Sequence, residues 1–146
     1  MMSHSAFRVL AAGLGGTGTL AVVLAVSGAA QTTPLSTPSF TSAQVTLGQR
    51  VYTQNCQGCH GDKLQGSRAP ALVGEKFLDR WADGKRPAAD LHGYIAKNMP
   101  RNKPGSLSTA QALNVTAFVL SRNGYKAGTR ALTATTLMRP LIPPSK

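Results

Sequence analysis

Cys56-Gln57-Gly58-Cys59-His60 holds both cysteines of the chain, spaced two apart, with a histidine directly behind them. This is the pattern by which a c-type haem is attached. Two thiols add across the two vinyl groups on one edge of the porphyrin, and the next residue turns its imidazole under the ring toward the iron. Two other readings compete. A disulfide suits the cysteines of exported proteins, but so short a loop staples almost nothing and leaves His60 without purpose. Half of a zinc site would need His4 or His92 to complete it, and His4 lies in an N-terminal segment with another use. Composition favours the haem. The chain has 146 residues but only four Phe, three Tyr and one Trp, few for a self-sufficient core, and a large flat apolar cofactor makes good the shortage.

Working downstream, the next question is a second axial ligand. Met99, in Asn98-Met99-Pro100, leads. A thioether is a soft, neutral ligand, and a Met/His pair raises the iron's potential relative to two histidines. Pro100 restricts Met99 to extended backbone and stops the preceding helix, so the sulfur is presented from a fixed loop. The bland alternative is a methionine that fills a gap in the core. Met138 lies in a proline-rich terminal segment and His92 in mid-helix, which makes each a weaker candidate. His60 also needs its other ring nitrogen satisfied, and metal-bound histidines usually donate it to a carbonyl or carboxylate. Pro70, in Ala69-Pro70-Ala71-Leu72, offers a carbonyl and no donor; the competing use is a loop shaped by a proline.

Working upstream, Arg8 is the only charged side chain in the first 49 residues. An uncharged run from Val9 to Ala30 follows it, richest at Leu20-Ala21-Val22-Val23-Leu24-Ala25-Val26, with small residues at Ser27, Gly28, Ala29 and Ala30. Residues 1–30 thus have the layout of an export signal, cleaved after Ala29 or Ala30, and the protein is expected in the periplasm. An uncleaved membrane anchor is the competing reading, since the run could cross a bilayer; glycines and threonines dilute its first half. Residues 31–41 are polar and punctuated by proline, and read as a flexible spacer. Residues 42–124 then form the folded domain and 125–146 a C-terminal extension. For its last part, Thr129 to Lys146, two uses stand open: wrapping the domain or docking a partner.

The domain reads as nearly all helical. Thr41 or Ser42 caps a helix from about Ala43 to Asn55 in which Val45, Gly48, Val51 and Tyr52 share one face. Ser108-Thr109-Ala110-Gln111 has capping-box spacing, and Leu113, Ala117 and Leu120 follow until Gly124 ends the run. Gly48, lacking a side chain, lets the first helix approach this last one. Shorter helices are expected at Gly74 to Ala82, with Phe77 and Trp81 four apart, and at Pro87 to Asn98, with Leu91, Tyr94 and Ile95 on one side. No alternating run is long enough for a convincing strand. The composition also excludes a disordered polyelectrolyte, and the length leaves no room for a nucleotide-binding α/β enzyme with a second domain.

Taken together, these residues resemble a class I cytochrome c, a small all-α domain wrapped around one covalently attached haem c. Gly48 and Tyr52 match the family's glycine and aromatic on the first helix. Cys56, Cys59 and His60 match the attachment site and proximal ligand, Pro70 and Leu72 the loop behind that histidine, and Met99 the distal ligand. The resemblance also aligns Trp81 with a tryptophan near a haem propionate. Ala69-Pro70-Ala71-Leu72-Val73-Gly74, Met99-Pro100 with Pro104-Gly105-Ser106-Leu107-Ser108, and Asn123-Gly124-Tyr125-Lys126-Ala127-Gly128 are similar to the cytochrome domains and subunits that accompany quinoprotein (PQQ-dependent) dehydrogenases. Unlike the fused members, these 146 residues leave no space for a propeller domain, so oxidation of an alcohol by this chain alone is not expected.

The function implied is one-electron transfer between a dehydrogenase and a respiratory acceptor such as a terminal oxidase, with a permanently bound cytochrome subunit as the alternative. The formal charge of +11 steers such a protein toward acidic docking surfaces. Nucleic acid is not expected as a partner, since no Lys/Arg block interleaved with aromatics occurs, and a membrane only if residues 1–30 are retained. Lys63, Arg68, Lys76, Lys85, Arg86, Lys97, Arg101 and Lys103 read as solvated surface, and the resemblance places some of them around the exposed haem edge.

Overall fold

Thr41 starts the framework by capping α1 (Ser42–Asn55): its side chain accepts from the Gln44 amide, and the Gln44 side chain accepts from the Thr41 amide in return. This reciprocal pairing satisfies donors that the first turn leaves open. Ser108 and Gln111 do the same for α5 (Thr109–Arg122). The computed structural model describes residues 37–144; the export signal or anchor expected at 1–30 and most of the spacer lie outside the described residues. Between the two long helices come a single turn, α2 (Gln57–His60), then α3 (Glu75–Trp81) and α4 (Ala88–Asn98), and a last turn, α6 (Ala134–Leu137), follows α5. The described residues contain one isolated β-bridge, Pro87 with Pro140, and no strand.

Helices α1 and α5 cross at Gly48. A Cβ built there would run into the carbonyl of Asn114 and come within 2.8 Å of Phe118 Cβ, so only hydrogen fits. One turn on, Tyr52 and Phe118 meet with ring centroids 5.3 Å apart, tilted by 47°. Backbone bonds close the end of α5. Gly124, at φ +91°, donates to Ser121 O at 3.2 Å, and Tyr125 donates to Leu120 O at 3.3 Å, the paired bonds of a Schellman turn.

Both edges of the expected 42–124 domain need correction. Phe40, assigned by its neighbours to the spacer, is fully buried, and so are Leu132, Leu137 and Leu141 in the extension. Phe40 occupies the position before the helix cap and Val45 the fourth helical position, the two places of a hydrophobic staple, and both join the core. The tail wraps the domain. Gln44 receives it with a two-way amide contact, accepting from Leu132 N–H at 2.7 Å and donating to Leu132 O at 3.1 Å. Gly128 donates to Phe40 O at 2.8 Å, and Arg86 and Ala88 exchange bonds with Leu141 and Arg139 at 2.9 and 3.0 Å. Prolines and threonines at these ends set turns between buried apolar residues; as composition alone they look like linker.

Candidate haem site

The one-turn helix α2 is where local chain geometry first serves chemistry. Cys59 and His60 both donate backbone N–H to Cys56 O, at 3.1 and 3.0 Å, which winds the attachment segment into a compact turn directly after α1. Tyr52, four residues before Cys56 and 2% exposed, donates its hydroxyl to Gly61 O at 2.6 Å and pins the turn from behind. Burial, followed by the nearby Cys56 and Asp62, pushes the Tyr52 phenol up to about 12. Cys56 and Cys59 form no disulfide. Burial also pushes the half-buried Cys56 thiol up to about 11, with Cys59 adding to the shift.

Beyond α2 the chain doubles back. Gly66 donates to His60 O at 2.8 Å and Ala69 to Cys59 O at 3.0 Å, and this brings Pro70 O to 2.7 Å from His60 Nδ1. A proline carbonyl only accepts, so the proton sits on Nδ1 and the Nε2 lone pair is left for a metal.

The attachment turn opens on a cavity of about 1130 Å³. Cys56, Cys59, His60, Pro70, Leu72, Trp81 and Met99 all line it, so these seven residues converge on one space. The rest of the wall is mostly apolar: Tyr52, Phe77, Leu91, Tyr94, Ile95, Val115 and Val119, from α1, α3, α4 and α5. Met99 is reached as expected. It caps α4 in extended conformation, φ −116° and ψ 150°, and carries its side chain to the cavity from the loop that Pro100 begins.

The other ligand candidates do not reach the cavity. His92 packs on α5, its Nδ1 at 3.4 Å from Thr116 Oγ1. That hydroxyl already donates to Ala112 O at 2.7 Å and so accepts from the imidazole. Met138 is 67% exposed on the tail. The zinc reading finds no support among the described residues, where no group of three or more His, Cys, Asp or Glu side chains could hold a metal.

Four cations also line the cavity, Arg68, Lys76, Arg80 and Arg101, and no carboxylate does. Arg68 reaches back to donate to Gly58 O at 2.9 Å, bracing the attachment loop. Arg80 was not singled out by sequence, since it belongs to no motif. Its guanidinium lies 5.1 Å from the Trp81 ring centroid and 5.8 Å from that of Tyr94, and the two rings themselves meet at 5.6 Å. Cation–π attraction holds it at the rim; the adjacent Trp81 was the only signal that could have pointed to it.

A helical shell, an apolar cavity, paired thiols at its edge and an imidazole with Nε2 free together define a c-type, haem-carrying electron-transfer protein. The family model described as cytochrome C oxidase, cbb3-type, subunit III matches residues 43–119, and the chain belongs to this cytochrome c family. Cytochrome c6 of a Synechococcus species is 31% identical over 105 residues, covering 72% of this chain and 93% of that protein. Thiosulfate dehydrogenase of Stutzerimonas stutzeri is 34% identical over 83 residues, which is 53% of this chain but only 27% of the enzyme. Among solved structures, the sulfane dehydrogenase SoxCD from Paracoccus pantotrophus matches with a TM-score of 0.54 and 25% identity, over 68% of this chain and 53% of that one. The chain therefore spans about a quarter of the one dehydrogenase and about half of the matched chain of the other. As in other cytochromes c, the cofactor is a covalently attached haem c, and the thiols that suit it are Cys56 and Cys59.

Proposed function

We propose that this cytochrome is a mono-haem, periplasmic carrier of single electrons between a dehydrogenase and a respiratory acceptor, with His60 and Met99 as the axial ligands. The observation that carries the reading is that these two side chains line the same cavity, while His92 is engaged elsewhere. Haem c supplies one-electron chemistry, its iron cycling between ferric and ferrous. The chain's part is to hold and insulate it. Cys56 and Cys59 tether it, Pro70 fixes the His60 tautomer, and the apolar wall keeps water from the metal. With His60 and Met99 both holding the iron, the bound group would supply one-electron transfer rather than chemistry on a substrate.

The rim of Arg68, Lys76, Arg80 and Arg101, with no carboxylate among the lining residues, supports a partner with an acidic docking surface. Steering by such a field makes encounter rates fall as salt rises. Export is supported by residues 1–30, and a quinoprotein donor by the sequence resemblance alone. The likeness to parts of a thiosulfate dehydrogenase and of SoxCD favours a second reading, a cytochrome subunit bound permanently to a dehydrogenase. Co-purification of a large partner at a fixed ratio selects the subunit reading; a monomer whose reduction rate depends on salt selects the carrier.

The test of the site is absorption spectroscopy of the oxidised and reduced protein, with Met99→Ala beside it. The variant is expected to lose the sulfur-to-iron absorption and to drop in potential. An unchanged spectrum would remove Met99 from the iron and return the question to the other residues lining the cavity. A colourless product from a host able to attach haem would end the whole reading.

A further inference from the structure

Asn123 opens the Asn123-Gly124-Tyr125 stretch, which has no chemistry of its own, yet it is one of the few buried polar side chains, 9% exposed. Its amide is fully used. Oδ1 accepts from Gly74 N–H at 3.2 Å, and Nδ2 donates to Leu72 O at 2.8 Å and to Val119 O at 2.9 Å. One donor and two acceptors surround it, so which end is oxygen follows from the partners. Capping α5 is not what the side chain is needed for, because Gly124 and Tyr125 close that helix with backbone bonds.

What Asn123 does is tie α5 to residues 72–74, just beyond Pro70. The return loop is held at its near side by Gly66 on His60 O and Ala69 on Cys59 O, and in the middle by Leu72 on Leu64 O at 2.8 Å. Pro70 has no N–H with which to anchor itself. Its carbonyl therefore stands where its neighbours put it, and on the far side Asn123 holds Gly74 by its N–H and shares the hold on Leu72 with Leu64.

We propose that Asn123 is a positioning residue for His60: by pinning Leu72 and Gly74 to α5 it holds the Pro70 carbonyl against Nδ1–H and so sets the electron density the imidazole offers iron. The inference rests on the His60 ligation proposed above. A firm acceptor on Nδ1–H makes the ring a more basic ligand and favours the ferric state; a slack one favours the ferrous state and raises the potential.

The experiment compares the wild-type holoprotein with Asn123→Ala and with Gln44→Ala, which loosens the tail contact with Leu132 far from this loop. Redox titration of Asn123→Ala is expected to shift the ferric–ferrous equilibrium about threefold toward ferrous, or roughly 28 mV at 59 mV per tenfold for one electron. Gln44→Ala is expected to lose stability and keep its potential. Should Asn123→Ala fail to mature, hydrogen exchange in the wild-type protein still decides. His60 Nδ1–H and the Gly74 amide are expected to open with the same free energy, since one pin guards both. A coloured Asn123→Ala protein with an unmoved potential, or independent opening of the two protons, would reduce Asn123 to a stabilising contact. A colourless wild type would instead overturn the haem reading.

Discussion

The stretch from Cys56 to Met99 and the stretch from Tyr125 to Pro144 contribute to one continuous core, but they are written differently. In the first, residues are chosen for chemistry: thiols, an imidazole, a thioether and a proline carbonyl, each a type with few other uses at that spacing. In the second, Leu132, Leu137 and Leu141 are buried among residues that look like spacer. Chemistry leaves a motif; packing by a few leucines leaves almost none. Function and stability are thus recorded in the same chain at very different signal strengths.

The sharpest way to break the comparison is at the frame behind both regions. Gly48→Val places branched carbons where the Asn114 carbonyl already stands, and the obstacle is backbone, which cannot swing aside. Overpacking typically costs ~1–3 kcal/mol and more where nothing yields, so the top of that range or beyond is expected. Denaturant unfolding, followed by haem absorption and by far-ultraviolet circular dichroism, checks it. One shared, lowered midpoint is expected; two separate transitions would show that the regions do not depend on the α1–α5 crossing alike.

Leu141→Ala should act on one region only. The side chain is fully buried, and truncations of this kind cost ~2–5 kcal/mol. The thermal midpoint should fall while the haem absorption of the oxidised protein stays in place. A changed spectrum would mean that the tail shapes the cavity as well as bracing the fold.

The same contrast explains what could be read from sequence. The helices α1, α3, α4 and α5 were expected within a residue or so of their ends, because capping boxes and apolar steps of three and four are local signals. The close approach at Gly48 was readable because only glycine permits it. The seven residues picked out around the attachment motif line one cavity, and the Cys-Gln-Gly-Cys-His spacing at its edge is a local signal. Three things were not readable. Phe40 and the tail leucines enter the core through contacts some ninety residues apart in sequence, as Gln44 with Leu132 shows. Arg80 is defined by two ring faces that only the fold brings together. Asn123 acts on a loop reached across 49 and 51 residues, which no local pattern records.

The smallest expected effect lies at the seam between α4, which carries Met99 to the cavity, and α5. His92 is half-buried there, and burial holds its pKa below the ordinary 6.5, with a backbone hydrogen bond to Ala112 opposing the shift. The sign follows from which state takes up the proton first. As pH falls through 6.5 the unfolded chain protonates its histidine while the folded one resists, so the unfolded state binds more protons and stability declines; above 6.5 both forms are neutral and the effect vanishes. His92→Gln keeps a donor for Thr116 and removes the titration. Its urea midpoint should differ less between pH 7.5 and pH 5.5 than the wild-type midpoint does, by a margin small beside that of Leu141→Ala. If the two proteins lose stability in parallel over that interval, the acid sensitivity belongs to groups outside this seam.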